Sequence, residues 1–224
     1  MLLTISGVIP TPQLQRVRQL LQRGQFKDGR LSAGMEAQRV KSNQELVQEP
    51  DLYSALNNLV MGCLVQHPTY QQAVLPRRVA APYYARYTTG MRYGDHIDDP
   101  VMGSGVEQYR SDVSTTVFLS ASSDYDGGEL VIRSSFGDQC VKLDAGDVVI
   151  YPSSSVHHIN EVTRGERLVA VTWAQSLVRD PGKRELLYQL SRAREKLLQE
   201  RPDAEETAWI SNSYANLVRM WSNL

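Results

Sequence analysis

The middle of the chain is a series of short runs rich in β-branched and aromatic residues, and these runs constrain the fold most strongly. They predict strands at residues 79–88, 115–120, 129–133, 139–143, 148–151 and 167–174. Turn-forming residues separate the runs, at 126–128, 136–138, 144–147 and 164–165. Because these connections leave no room for crossover helices, the pattern predicts an antiparallel sandwich or barrel and disfavours a doubly wound α/β fold.

Helical patterns lie on both sides of this β region. Apolar residues at helical spacing predict helices over 12–22, 50–65, 184–200 and about 204–220, and the polar, Gly-rich segment 24–34 is predicted to be a loop. The chain is therefore expected to be α+β with a mainly β core. We divide it into an N-terminal helical support region (1–77), a core (78–178) and a C-terminal helical tail (179–224).

Composition excludes several classes of protein. The 224 residues include 24 basic and 25 acidic side chains without a dense basic run, which argues against a nucleic-acid partner. No segment approaches the roughly 20 apolar residues of a membrane span, and the first residues do not resemble a signal peptide. Cys63 and Cys140 are isolated and are predicted to be small buried side chains in a reducing compartment. We expect a cytoplasmic protein without a membrane partner.

A candidate metal site combines His96 and Asp98 with His157, farther along the chain. Side chains two apart on an extended backbone point the same way, and the intervening strands can return His157 beside the pair. Two imidazoles and one carboxylate are the donor set of a non-haem Fe(II) site, which leaves positions for a 2-oxo acid and O2. A structural zinc site would need four protein ligands. A cupin-type zinc or manganese enzyme would be expected to carry a His-x-His pair, which is absent here.

Arg167 follows His157 and supplies a fixed cation that could hold the far carboxylate of a dicarboxylic co-substrate. Each assignment has a simpler alternative. Residues 95–99 could form a solvated acidic loop, and Arg167 could be a surface strand residue with a salt-bridge partner. Of the adjacent histidines only one can face inward on a strand, so His158 is predicted to point outward. His67, before a proline, is predicted to be structural.

Two segments are candidates for the border of a substrate cleft, namely 38–43 and the loop 96–109. Within the first segment, we interpret Arg39 and Lys41 as ordinary solvated loop residues. The sequence does not identify a substrate.

Several motifs together resemble a known family. Arg86-Tyr87 with Gly90, Tyr93 and His96-Ile97-Asp98, followed by the segment 124–130, resembles the Fe(II)/2-oxoglutarate-dependent prolyl 4-hydroxylase-like superfamily. The segments 145–157, 162–167 and 173–180 are similar to its bacterial PKHD-type hydroxylases. The resemblance covers nearly the whole chain, including the helical tail.

The resemblance implies a double-stranded β-helix (jelly-roll) core with iron held by His96, Asp98 and His157. It also implies that Arg167 binds the C5 carboxylate of 2-oxoglutarate, that ascorbate keeps the iron reduced, and that a strand tyrosine contacts 2-oxoglutarate. Tyr87 matches that tyrosine best, and Tyr93 is the second choice.

The implied activity is that of a dioxygenase that uses O2 to hydroxylate an unidentified small molecule or protein side chain, with release of succinate and CO2. The alternative is a non-catalytic iron or 2-oxo-acid sensor on the same scaffold. Association into a homo-oligomer through the C-terminal helices is a further expectation that the sequence leaves open.

Overall fold

The computed structural model describes residues 1–223. Its helices are α1 (Thr11–Leu21), α2 (Met35–Gln38), α3 (Pro50–Gln66), α4 (Pro68–Val74), α5 (Pro181–Glu200) and α6 (Glu205–Trp221). Its strands are β1 (Leu3–Ile5), β2 (Phe26–Asp28), β3 (Lys41–Ser42), β4 (Gln44–Leu46), β5 (Pro76–Val79), β6 (Tyr83–Thr88), β7 (Arg92–His96), β8 (Val101–Met102), β9 (Tyr109–Arg110), β10 (Val113–Phe118), β11 (Tyr125–Gly127), β12 (Leu130–Ile132), β13 (Gln139–Val141), β14 (Val148–Pro152), β15 (His157–Ile159) and β16 (Val162–Ser176).

The strands form two main antiparallel sheets. The larger sheet has the order β1-β14-β10-β16-β6-β4-β2, with β5 and β11 also paired to β16. The smaller sheet has the order β13-β12-β15-β7-β3. Strands that are distant in sequence lie side by side in both sheets, as in a jelly roll, so the predicted mainly β core and its α+β setting are confirmed.

Two hydrophobic clusters arrange the protein in three layers. One cluster lies between the sheets and joins Tyr87, Phe118 and Val169 of the larger sheet to Leu130 and Ile159 of the smaller one. The other lies on the far face of the larger sheet, where side chains of α1, α3, α4 and α5 pack against β1, β10 and β14. The larger sheet is therefore covered on both faces, which explains why every residue of β10 is buried.

The helices follow their sequence signals closely. Helices α1, α3, α4 and α5 each begin with a proline in the first turn, where the missing N–H costs no hydrogen bond. Asp180 caps α5 by accepting a hydrogen bond from the backbone N–H of Lys183. The four predicted helices are confirmed within three residues, whereas α4 was not predicted because it continues almost directly from α3.

Several local predictions were wrong. Segment 24–34 contains β2 and a 3₁₀ turn over Gly29–Ser32, because β2 pairs with β4 at the edge of the larger sheet. Residues 79–88 do not form one strand, since residues 80–82 interrupt the regular pairing with β16 between β5 and β6. The predicted turn at 164–165 lies inside β16, where Gly165 adopts a positive φ of 77°.

The cysteines also differ from the prediction, because Cys63 is half-buried and Cys140 is exposed on an edge strand. The three-part division of the chain stays a prediction, and β1, β2 and β4 join residues 1–77 to the larger sheet. No helix within residues 1–223 is both long enough and apolar enough to span a membrane.

Candidate metal centre

The three predicted metal ligands meet at one end of the space between the sheets. His96 ends β7, His157 begins β15, and these two residues are direct partners in the antiparallel pairing of the strands. Asp98 follows two residues after His96. Each residue offers one ligand atom, and these atoms lie within 4.8 Å of one another. His157 Nε2 lies 3.9 Å from Asp98 Oδ1, so the triad converges as the spacing predicts.

Both imidazoles are oriented by a backbone carbonyl. His96 Nδ1 lies 2.8 Å from the carbonyl oxygen of Gly94, and His157 Nδ1 lies 3.0 Å from that of Ser155. A carbonyl only accepts, so each Nδ1 carries the hydrogen and each Nε2 keeps a lone pair for a metal. Burial, and then the neighbouring His157, lower the pKa of His96 to about 4. His96 is therefore neutral near pH 7, the form that coordinates a cation.

A side chain of the larger sheet forms a hydrogen bond with the carboxylate of Asp98. The hydroxyl of Ser114 on β10 donates a hydrogen bond to Asp98 Oδ2. Ser114 Oγ in turn accepts a hydrogen bond from the hydroxyl of Ser153 at 2.8 Å, and both serines are buried. Sequence reasoning missed these two residues, because serine has no signature that distinguishes a ligand-orienting side chain from a strand residue.

Tyr93 and Lys41 flank His96. The Tyr93 ring stacks on the His96 ring with centroids 3.7 Å apart, and Lys41 Nζ lies 5.3 Å from the Tyr93 centroid. Lys41 also forms a buried ion pair with Glu45 at 2.6 Å, with side chains only 8% and 7% exposed. The interpretation of Lys41 as a solvated loop residue was wrong, because β3 pairs with β7 and turns this side chain inward. Arg39 is exposed, as predicted.

A cavity of about 490 Å³ adjoins the triad and extends between the sheets to Arg167. Arg167 is 1% exposed, so the alternative of a surface strand residue was wrong. Within residues 1–223 its guanidinium forms no salt bridge, and its Nε is buried without a hydrogen-bond partner. The guanidinium carbon lies 5.1 Å from the centroid of Tyr87, its partner in the β6–β16 pairing.

These residues fit a ferrous ion and a dicarboxylate. Two imidazoles and one carboxylate form a facial donor set that leaves coordination positions open. A buried guanidinium without an anion is costly, and a carboxylate in the cavity would remove that cost. Burial raises the pKa of Tyr87 to about 12, so its hydroxyl stays protonated and can donate. The buried Tyr125 hydroxyl also lies next to Arg167.

The remaining predicted residues have clear positions. His158 points away from the triad, as predicted, and its Nδ1 lies 2.8 Å from Asp95 Oδ1. Asp95 also binds Arg133, so residues 95–99 are not simply a solvated loop. His67 stands at the junction of α3 and α4, consistent with a structural role. Both segments expected to border a cleft, 38–43 and 96–109, contribute residues to the cavity wall.

Known proteins resemble this chain along its whole length. Residues 82–175 match the family model of the 2OG-Fe(II) oxygenase superfamily, and residues 182–223 match that of the PKHD-type hydroxylase C-terminal domain. A PKHD-type hydroxylase from Thioalkalivibrio sulfidiphilus is 50% identical over 100% of both chains. A PKHD-type hydroxylase from Gloeothece citriformis is 43% identical over 99% of this chain and 100% of that protein.

The chain belongs to the PKHD-type hydroxylase family.

Solved structures support the fold of this PKHD-type hydroxylase. A prolyl hydroxylase from Trichoplax adhaerens, in complex with a hypoxia inducible factor peptide, has a TM-score of 0.56 at 17% identity, covering 83% of this chain and 86% of that chain. HygX from Streptomyces hygroscopicus, with nickel and 2-oxoglutarate bound, has a TM-score of 0.55 at 16% identity, covering 79% and 84%. The fold is therefore the jelly roll of 2-oxoglutarate oxygenases. As a PKHD-type hydroxylase, the protein is an oxygenase that uses Fe(II) and 2-oxoglutarate.

Proposed function

We propose that this PKHD-type hydroxylase inserts oxygen into a C–H bond of an organic substrate and converts 2-oxoglutarate to succinate and CO2. One atom of O2 enters the new hydroxyl group and the other enters succinate, so the reaction is balanced without a further reductant. The observation that carries the proposal is the convergence of His96, Asp98 and His157 beside a cavity whose far wall holds the unpaired guanidinium of Arg167.

His96, Asp98 and His157 hold the ferrous ion in this proposal. A bound ferrous ion supplies the redox chemistry that activates O2 and splits the 2-oxo acid. The protein contributes a fixed donor set, because the carbonyls of Gly94 and Ser155 orient the imidazoles. These contacts set which ring nitrogen faces the cavity, and such outer partners strengthen metal binding.

Arg167 binds the C5 carboxylate of 2-oxoglutarate, and Tyr87 is the adjacent hydroxyl donor. Support comes from their direct pairing across β6 and β16 and from the burial of both side chains. Tyr93, the second candidate, stacks on His96 instead, which favours Tyr87 for the co-substrate. The apolar side chains of Leu130, Ile159 and Val171 line the same cavity and would keep bulk water from the co-substrate.

The sensor alternative receives no support from the comparisons, because the matched families are named as oxygenases and hydroxylases. L-ascorbate is proposed as the reductant that restores Fe(II) after a turnover without substrate. A cytoplasmic location and a homo-oligomer formed through α5 and α6 remain predictions.

The test is the origin of the oxygen in succinate. The protein is incubated with Fe(II), 2-oxoglutarate and ¹⁸O2, and succinate is analysed by mass spectrometry. We expect slow release of succinate carrying one ¹⁸O atom even without a substrate, and no release by Asp98→Ala. Succinate without ¹⁸O, or equal release by wild type and Asp98→Ala, would contradict the proposed reaction.

A further inference from the structure

One face of the larger sheet runs along the whole cavity. Arg167, Val171 and Trp173 alternate along β16 and therefore share that face. On β6, Tyr87 lies opposite Arg167, and Tyr83 lies opposite Val171. At roughly 3.3 Å per residue, Arg167 and Trp173 stand about 20 Å apart along the strand. The cavity thus has a cationic end at Arg167 and an aromatic end at Tyr83 and Trp173.

The metal ligands lie nearer to the aromatic end. Asp98 is bonded to Ser114 on β10, and Ser114 is the direct strand partner of Trp173. A co-substrate anchored at Arg167 would extend from there toward Asp98 and fill the cationic end. The space left for a second, oxidisable substrate is therefore bordered by Tyr83 and Trp173.

The aromatic end presents two aromatic rings to the cavity. The rings of Tyr83 and Trp173 have centroids 5.9 Å apart in an edge-to-face arrangement. Tyr83 is 37% exposed, so this surface is open to an entering molecule. Between β5 and β6 the small side chains of Ala80 and Ala81 line the cavity. Aromatic faces bind planar and cationic groups, and tryptophan binds cations best.

The negative charge of Asp99 in the cavity wall also favours a neutral or cationic substrate. Asp99 lines the cavity and is exposed, and its carboxylate has no salt bridge or hydrogen bond within the part of the chain that the structure describes. The charge of Lys41, by contrast, is balanced by Glu45. An unbalanced carboxylate attracts cations and repels anions, and such repulsion is an effective source of specificity.

We propose that Tyr83 and Trp173 bind a planar, neutral or positively charged group of the primary substrate, and that Asp99 excludes anionic substrates. This inference rests on the proposed function, because it assumes that 2-oxoglutarate occupies the Arg167 end. It assigns the residues that determine specificity, and it leaves the iron ligands and the reaction unchanged.

The experiment uses three probes that share a benzene ring and differ in charge. Benzamide is neutral, benzylamine is cationic and benzoate is anionic. The full-length protein is loaded with Mn(II), which suits the same donor set, and with saturating 2-oxoglutarate. Paramagnetic broadening of the ring protons reports binding near the metal, and the same complex with Zn(II) gives the diamagnetic baseline.

We expect broadening of benzamide and benzylamine, with benzoate binding about tenfold more weakly, which corresponds to about 1.4 kcal/mol. Asp99→Asn should bring benzoate to the level of benzamide while leaving benzamide unchanged. Preferential binding of benzoate, or no response of benzoate to Asp99→Asn, would overturn the role of Asp99.

Trp173→Ala and Tyr83→Ala should each reduce the broadening of benzamide at least about fivefold, whereas Trp209→Ala, on an exposed helix position, should leave it unchanged. If Trp173→Ala no longer binds Mn(II), the broadening of benzamide by Tyr83→Ala alone tests the role of the aromatic end. If Tyr83→Ala broadened the benzamide protons as much as the wild type does, the proposed role of the aromatic end would be overturned. Failure of the wild type to bind Mn(II) and 2-oxoglutarate would instead count against the proposed function itself.

Discussion

Ser114 Oγ donates a hydrogen bond to Asp98 Oδ2, while Asp98 Oδ1 lies 3.9 Å from His157 Nε2. Oδ2 of Asp98 thus accepts a hydrogen bond from strand β10, and Oδ1 faces the imidazole of His157. Because Ser114 is itself bonded to Ser153 and both are buried, Asp98 is held in a single orientation. Ser114 is therefore a positioning residue for the proposed metal ligand.

Ser114→Ala should weaken metal binding by roughly tenfold, since outer partners of metal ligands typically contribute that much. The measurement is an anaerobic titration with Mn(II), which reports affinity independently of activity. Ser122→Ala, which removes an exposed hydroxyl bonded to Asp144, is the matched control and should bind Mn(II) normally. Wild-type affinity in Ser114→Ala would remove the assigned role.

Arg167→Ala should raise the dissociation constant for 2-oxoglutarate roughly tenfold to a hundredfold. A charge-assisted contact is worth about 1.5–3 kcal/mol, and each 1.4 kcal/mol is about a factor of ten. Mn(II) affinity without 2-oxoglutarate should not change. Arg164→Ala is a suitable control, because Arg164 is an exposed residue of the same strand paired with Asp126. Equal effects in the two variants would show that Arg167 has no specific role in co-substrate binding.

Position 128 in the 124–130 motif requires glycine because of its backbone conformation and its close neighbours. Its φ is +66°, and a Cβ there would lie 3.1 Å from Arg167 Cδ and 2.9 Å from a methyl carbon of Val162. Gly128→Ala should therefore cost roughly 1–3 kcal/mol of unfolding free energy and weaken 2-oxoglutarate binding. Urea unfolding measures the first effect, and co-substrate titration measures the second.

Gly62→Ala provides the control, because a Cβ at this position of α3 meets no atom within 4 Å. This substitution should raise the unfolding free energy by about 0.5–1 kcal/mol. If Gly128→Ala behaved like Gly62→Ala, the close approach of Gly128 to Arg167 would not matter.

Because the ion pair between Lys41 and Glu45 is buried, loss of either partner should lower the free energy of unfolding strongly. Lys41→Met and Glu45→Gln should each cost about 3 kcal/mol or more, since each leaves one buried charge without a partner. The double variant should lose much less than the sum of the two, and urea unfolding of all four proteins measures the coupling. Additive losses would mean that the two charges do not stabilise one another.

Sequence reasoning was most successful where chemistry restricts the residue type. The residue types and spacing of His96, Asp98 and His157 predicted that these side chains converge, and turn residues marked the ends of the strands around them. Arg167 was predicted as the fixed cation that a dicarboxylic co-substrate would need, and the structure places it in the cavity wall. These predictions depended on residue identity and strand alternation, which can be read without knowing the register.

The residues that were missed depend on register between distant strands. Ser114 contacts Asp98 only because β10 passes beneath the end of β7, and no local pattern contains that information. The sequence indicates a solvated loop at Lys41, because β3 has only two residues and no apolar alternation. Strand β7 is polar, with the sequence Arg-Tyr-Gly-Asp-His, so its pairing with β15 could not be read from hydrophobicity.

In the proposed function, His96, Asp98 and His157 form a ferrous site at which 2-oxoglutarate binds. The most direct measurement is anaerobic addition of Fe(II) and 2-oxoglutarate, followed by visible absorption, with Asp98→Ala treated in parallel. We expect a metal-to-ligand charge-transfer band in the wild type that disappears when O2 is admitted, and no band in Asp98→Ala. Absence of the band, or identical spectra from both proteins, would contradict the assignment of the triad.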